Sequence, residues 1–346
     1  MTRRSFQAFC IEPKSPIHIG ERGIGIERTT SCPHSDSMFS AICLSHLQMY
    51  GEADFLRNFR DGRPPFLLSS AFPYCEAGGQ KIFFFPKPHV SAWINQENSL
   101  IKKLKEVSFL SKAAFETWLV AGVEGVLKSL KNGSLKLKDE LMISAGEAEL
   151  FKTEKPKLYK DFTTPRNRLN RLKMWSDLFY AGAALYYPNS GMFFLLDIRD
   201  DEEYFDMMIH CLNLLRDEGI GGERTIGYGK FDYALEKLDI LEADDAGAFL
   251  TLCLYHPTLE EVEKFLTKPK NYWSYRLITR GGFAQSPLLK GGYFKRSVRM
   301  MLEGSVFPRI DDRSVYGDFP EVLKEEETHA HAVYRYGYAF PLSIRV

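Results

Sequence analysis

Residues 219–231, GIGGERTIGYGKF, hold five glycines in thirteen positions. Glycine tolerates positive φ and lets a partner approach bare backbone, so such a run is either turn chemistry or a phosphate cradle. Upstream, residues 201–218 place Phe205, Met208, Leu212 and Leu215 at helical spacing. The acids Asp200, Asp201, Glu202 and Glu203 open this segment, where the helix dipole favours carboxylates over a metal-site reading. Downstream, KFDYALEKLDI reads as a strand. The loop therefore follows a helix and precedes a strand, the reverse of the dinucleotide fingerprint, in which glycines lead into a helix N-terminus. It is not a P-loop either, because Gly227 is followed by Tyr228 and not by Lys and Ser or Thr. What remains is a backbone-rich surface carrying Arg224, Thr225, Tyr228 and Lys230, suited to an RNA backbone with a base stacked on the ring. The alternative, a helix cap plus a turn, needs one or two glycines rather than five.

Around this loop the chain reads as α+β. Ser5–Ile11 alternates about Phe6, Ala8 and Cys10 as a first strand. After the loop SPIHIGERGIGIERTTSCPHSD, Ser35 or Asp36 caps a helix to about Tyr50, with Met38, Ile42 and Met49 on one face and Gly51 as the stop. Residues 52–175 read as an insertion with two apolar runs, FLLSSAF and KIFFFP, and a helical stretch from about 100 to 130. Leu104, Val107, Trp118, Val123 and Val126 supply its buried stripe. LFYAGAALYYP and GMFFLLDI then read as two strands joined through Asn189, Ser190 and Gly191. With the insertion set aside, residues 1–241 give β-α-β-β-α-β, the ferredoxin-like or RRM-like order. EADDAGA marks a boundary, and 248–346 reads as a degenerate second copy. Its strands are FLTLCLYHP, YWSYRLITRGG, YFKRSVRMMLEGSVF and HAVYRYGYAFPLSI, with TLEEVEKFL as a helix.

Charge narrows the partner. The 45 basic and 45 acidic side chains cancel, so a nucleic-acid site has to come from local patches. Residues 152–173, KTEKPKLYKDFTTPRNRLNRLK, carry eight Lys and Arg against two acids. Pro165 disfavours helix before it, and an extended ribbon spreads Arg166, Asn167, Arg168 and Arg171 over both faces. Such an arm can track phosphates while Leu169 or Leu172 wedges between bases; a merely solvated charged face is the alternative. The six cysteines form no C-x-x-C pair and read as reduced thiols. No apolar run suits a membrane span, and MTRRSFQAFCIEP is too short in apolar core for a signal peptide, so the expectation is a soluble, cytoplasmic protein without a membrane partner.

Histidine is the remaining candidate for catalysis. His18 and His34 lie in the first loop, His46 in the first helix, and His329 and His331 form an H-x-H that on a strand would point both rings to one face. A metal-independent ribonuclease needs a base near a 2′-hydroxyl and a cation for the developing charge, but the sequence nominates no complete acid-base or metal set. We therefore expect no catalytic residues, no metal and no cofactor.

Several segments together resemble the RAMP superfamily of CRISPR RNA-binding proteins, and within it the fourth-subunit family of the subtype III-A (Csm) effector complex. They are SPIHIG, HSDSMFSAI, PRNRLNR, GIGGERTIGYGKF, EGSVF and VYRYGYAFPL, spread over nearly the whole chain. The resemblance implies two ferredoxin-like domains, with a β-hairpin thumb, about 155–173, rising from the first. It implies a non-catalytic subunit that caps the 5′ repeat tag of the crRNA. Its implied protein partners are the large polymerase-like subunit and the first backbone subunit, and it meets target RNA only through the guide. By segment, His18, Arg22, Arg28, Ser35, Asp36, Gly221, Gly222, Arg224 and Tyr228 would grip the tag, and Arg166, Asn167, Arg168 and Arg171 would belong to the thumb. Because related superfamily members process crRNA, a metal-independent endoribonuclease stands as the alternative.

Overall fold

The computed structural model describes residues 1–20, 29–51, 54–89, 99–151, 158–170, 175–199, 202–244, 246–268, 273–284, 286, 288–289, 292–310 and 313–346. It is an α+β protein with one large mixed sheet and several two-stranded pairs. In chain order the first part comprises β1 (Thr2–Pro13), α1 (Ser35–Tyr50), α2 (Leu56–Arg60), β2 (Phe66–Leu68), β3 (Phe72–Ala77), β4 (Gln80–Pro86), α3 (Ser99–Glu106), β5 (Phe109–Ser111) and α4 (Lys112–Lys131). Then come β6 (Leu135–Lys138), β7 (Leu141–Ser144), α5 (Ala145–Leu150), β8 (Tyr159–Asn170), β9 (Trp175–Tyr186), β10 (Ser190–Ile198), α6 (Glu203–Glu218) and β11 (Phe231–Glu242).

The large sheet runs β11-β1-β10-β3-β4-β5-β7-β6, with β2 also on β10. The centre is antiparallel and long: β1 pairs β11 from Thr2↔Glu242 to Pro13↔Phe231, and pairs β10 on its other edge. Alternation in β1 sorts its side chains. Phe9 stacks on Phe194 at 4.9 Å and meets Phe205 of α6, while Phe6 lies 5.1 Å from Phe340 near the C-terminus. Both faces of the central strands are thus covered, which is why β10 reads as the unbroken apolar run MFFLL.

Two sequence expectations fail here. β9 does not pair with β10 through Asn189–Gly191; it pairs with β8 over its whole length, from Tyr159↔Tyr186 to Asn170↔Trp175. The strands hydrogen-bonded to β10 are β1, β2 and β3, and the last two were assigned to the insertion. FLLSSAF is buried throughout because it belongs to the central sheet. The remainder of the supposed insertion extends that sheet through β4, β5, β7 and β6, with α4 laid across it and Phe115 stacked on Phe85 at 4.7 Å. The stretch from 100 to 130 is broken by β5, and α4 bends at Gly122; Leu104, Val107, Trp118 and Val126 are buried as the periodicity predicts.

The C-terminal part comprises β12 (Ala248–Thr251), α7 (Leu259–Leu266), β13 (Leu277–Arg280), β14 (Phe283–Ala284), β15 (Tyr293–Phe294), β16 (Val298–Met301), β17 (Val306–Pro308), β18 (Glu321–Leu323), α8 (Glu325–Thr328), β19 (Val333–Tyr334) and β20 (Pro341–Ile344). β17-β12-β20 form a sheet, and β13-β16, β14-β15 and β18-β19 are separate pairs. The two long strands expected at YFKRSVRMMLEGSVF and HAVYRYGYAFPLSI are therefore each broken into short pieces.

One buried polar network joins the two parts, and it is built on the start of α1. His34 precedes the helix without a side-chain cap bond, so neither Ser35 nor Asp36 is the N-cap. Asp36 accepts two 3.0 Å bonds from the fork of Arg280 and another from Arg335. Ser35 Oγ accepts from the Leu254 amide at 3.1 Å, and the Ser35 amide donates to Ser70 Oγ at 2.8 Å. His34 Nδ1 donates to Glu303 at 2.7 Å, and Ser70 Oγ donates to the same carboxylate. Next to this network Phe39 stacks on Tyr336 at 4.9 Å and meets Phe319 at 5.5 Å. HSDSMFSAI, EGSVF and VYRYGYAFPL are thus three sides of one interior junction. Met49, expected on the buried face of α1, is instead exposed.

Burial alone would raise the Asp36 carboxyl, yet Arg280 and Arg335 hold it well below the usual carboxylate range. Its contribution to stability is therefore complete above the unfolded value of about 3.9 and lost as pH falls below it. Burial would lower His34, but the Glu303 charge and hydrogen bond raise it overall. That contribution is complete below about pH 6.5 and lost as pH rises through the raised folded value. Denaturant titrations across pH are expected to show both slopes, and His34→Gln is expected to remove the upper one. Asp36→Ala, which strands two buried guanidinium groups, is expected to cost about 3–5 kcal/mol in the same assay.

Candidate nucleic-acid interface

Three segments far apart in sequence meet beside the central sheet. The loop after β1 bridges to β9 through Ile17 and Ala184, and to the glycine loop through His18 and Gly222. The Gly222 amide donates to His18 O at 2.8 Å, and the Gly229 amide to Pro16 O at 2.9 Å. His18 Nδ1 donates to Gly182 O of β9 at 2.7 Å. Arg166 of β8 completes the contact: it pairs with Glu223 at 3.1 Å and lies 5.4 Å over the Tyr228 ring. The hairpin, the first loop and the glycine loop form one hydrogen-bonded knot.

This knot explains the glycines. Gly221 has φ +91, and a Cβ there would stand 2.4 Å from His18 O; Gly229 has φ +79, and its Cβ would stand 2.1 Å from Ile220 O. The loop is a folded turn pressed against its neighbours, with a short 3-10 turn over Arg224–Ile226. The alternative of cap plus turn was set aside because five glycines exceeded its needs; the close backbone approaches account for the excess.

The residues nominated from sequence fall in different places. Arg224 and Tyr228 are half-buried, and Thr225 and Asn167 are exposed. Gly221, Gly222 and Arg166 are brought to the knot with His18, which is itself only 5% exposed. Arg168 stands on β8 opposite Asp177 in backbone register. Arg22, Arg28 and Arg171, like Asp200 and Asp201, lie outside the described residues. Ser35 and Asp36 are buried in the junction, with their polar atoms spent on it, so they present no free group to a ligand. The H-x-H pair does not lie on a strand: His329 ends α8, and His331 Nε2 bonds Ser286 Oγ at 2.9 Å. Among the described residues no group of three or more His, Cys, Asp and Glu is arranged to hold a metal ion.

A cleft of about 1360 Å³ opens between the knot and the C-terminal part. One wall carries His18, Gly221, Gly222 and Arg224, and the other carries Arg280, Phe283, Lys295 and Arg335. Asp54, Asp61, Glu321, Glu325 and Glu326 also line it. Arg224 is tethered only loosely, 3.7 Å from Glu218. Sequence reading missed the second wall. Its cations are scattered through ITRGG, YFKR and VYRYG, without the clustering that flagged 152–173.

Residues 244–344 match the family model described as the CRISPR Csm4 C-terminal domain. The protein called CRISPR system Cms protein Csm4 in Methanocaldococcus jannaschii is 25% identical over 338 residues, covering 86% of this chain and 84% of its own. Its namesake in Thermococcus onnurineus is 24% identical over 330 residues, covering 91% and 92%. The C-terminal part is that of a Csm4 protein, and the chain is similar to Csm4 proteins over most of its length. Among solved structures, a chain of the Csm3-Csm4 subcomplex of the type III-A CRISPR-Cas interference complex superposes with a TM-score of 0.65 at 19% identity, over 98% of this chain and 100% of that one. A chain of the Csm1-Csm4 cassette in complex with cA4 gives 0.59 at 19% identity, over 99% of each. The Csm4 fold is thus present from end to end. The motifs EGSVF and VYRYG are those of the buried junction, while residues 219–224 of the glycine loop line the cleft.

Gly221→Ala is expected to lower stability by about 3 kcal/mol, combining left-handed backbone with a clash against His18 O. Thr225→Ala, in the same loop but exposed, is expected to stay within about 0.5 kcal/mol. Thermal melts of the two variants check the difference.

Proposed function

We propose that this chain is the subunit of a type III-A Csm interference complex that grips the 5′ repeat tag of the crRNA. In this role it bridges the large polymerase-like subunit to the first backbone subunit, and it meets target RNA only through the guide. The observation that carries the reading is the meeting of the first loop, the glycine loop and the β8–β9 hairpin beside a cleft of about 1360 Å³. Backbone amides and Arg224 would hold phosphates, Tyr228 would offer a ring to a base, and Arg166, Asn167, Arg168 and Arg171 would make the hairpin a thumb. His18, Gly221, Gly222 and Thr225 shape the grip, with Arg22 and Arg28 on the same first loop.

Two ferredoxin-like domains, 1–241 and 248–346, suit this role. The central strands in order β11-β1-β10-β3 follow the 4-1-3-2 arrangement of a β-α-β-β-α-β unit. β20-β12-β17, extended by the Ser274–Val306 bridge, repeats it in reduced form. The fold relatives solved as Csm3-Csm4 and Csm1-Csm4 assemblies support protein partners on two sides. A net charge of zero fits a surface largely given to such contacts. We place the work in binding rather than catalysis: His18 is buried, and His34 is paired with buried Glu303 at the interior junction.

RNA that copurifies with the assembled complex is expected to have 5′ ends mapping to a repeat-derived tag. Arg224→Ala, and the triple change Arg166→Ala, Arg168→Ala and Arg171→Ala, are each expected to impair assembly with guide. Arg224→Ala is also expected to reduce the salt slope of RNA binding by roughly 0.7. Normal assembly in both variants would contradict the reading.

A further inference from the structure

The C-terminal wall of the cleft carries two features that the grip described above leaves unused. Phe283 and Phe294 face each other across the β14–β15 pair, with ring centroids 3.8 Å apart. They are 45% and 59% exposed, so two large aromatic rings stand together at the surface and outside the core. Phe283 lines the cleft. The next residue after β15 is Lys295, whose amide is tied to Gly282 O at 2.9 Å and whose side chain enters the cleft beside Arg280 and Arg335.

Lys295 adds a third cation beside the buried ion pairs. Asp36 is bonded to Arg280 and Arg335, and Lys295 lies within electrostatic reach of all three. The Lys295 ammonium has no hydrogen bond or ion pair among the described residues, and the Nε of Arg335, a residue 5% exposed, has no acceptor. Burial, then Arg335 and Arg280, bring Lys295 down to about 8 against the pull of Asp36. An anion placed there pairs with Lys295, and the aromatic pair beside it suits the flat face of a base.

We propose that the β14–β15 hairpin is a second nucleotide-binding element, on which a base of single-stranded RNA stacks against Phe283 and Phe294 while its phosphate bonds Lys295. This rests on the RNA-binding reading above and adds the C-terminal wall to it. The strand then crosses the cleft from Arg224 to Lys295, held by both halves of the chain.

The test uses the complex reconstituted with guide RNA, comparing Lys295→Gln, the double change Phe283→Leu and Phe294→Leu, and Arg224→Ala. Leucine keeps apolar volume and removes the stacking face, and melting curves establish that each variant is folded. Lys295→Gln is expected to reduce the salt slope of RNA binding by roughly 0.7, as one phosphate contact is lost. The leucine double variant is expected to weaken binding roughly tenfold with the slope unchanged. If both bind RNA as the wild type does while Arg224→Ala weakens binding, the hairpin proposal fails and the grip at the glycine loop survives. If the hairpin variants lose a protein subunit but keep RNA, the hairpin is a protein contact and the proposal fails. If no variant changes RNA binding, including Arg224→Ala, the RNA-binding reading falls with it.

Discussion

The bonds from Arg280 and Arg335 to Asp36 decide how the two parts of this chain face each other. A carboxylate at 2% exposure is tolerable only where cations and donors replace the lost water, and both cations come from the far end of the sequence. The pairing fixes α1 against the C-terminal strands, and α1 in turn lies against α6 through Ser45 and the Cys211 carbonyl. The glycine loop leaves the end of α6, so the position of the cleft is set at the same junction. The cations of its second wall are those that Asp36 organises.

The opposite wall is rigid for a different reason. Glycines permit the backbone of 219–229 to lie directly on that of 16–18, and the resulting amide-to-carbonyl bonds tie the loop to β9. A loop that looks flexible as a string of letters is a compact turn with a defined surface. Preorganisation of this kind reduces the ordering cost of gripping a single strand.

Much of the fold was legible because it is local. Alternation in Ser5–Ile11, helical spacing in 35–50 and 201–218, and the strand after the glycine loop all appear where periodicity puts them. Partner choice was not legible. LFYAGAALYYP and FLLSSAF are both apolar runs, and only the three-dimensional packing gives the first to β8 and the second to β10. The short C-terminal strands read as long ones because the apolar pattern of YFKRSVRMMLEGSVF and HAVYRYGYAFPLSI runs on through irregular backbone. At the site, GIGGERTIGYGKF and PRNRLNR stand out by composition, whereas the contact of Arg166 with Tyr228 and Glu223 is visible only in three dimensions. HSDS misled because Ser and Asp before a helix read as capping or contact groups, and nothing local signals that their partners lie more than two hundred residues away. Lys295 and Arg280 sit singly among neutral residues and carry no signal of their own.

The central claim is that a single RNA strand runs through the cleft between the glycine loop and the C-terminal wall. Zero-length ultraviolet crosslinking of the RNA-loaded complex, with the crosslinked peptides of this chain sequenced, tests it most directly. The account predicts crosslinks to peptides from both walls, around Arg224–Tyr228 and around Phe283–Lys295. Crosslinks confined to outward surfaces such as α4 or α7, with the cleft peptides unmodified, would contradict it.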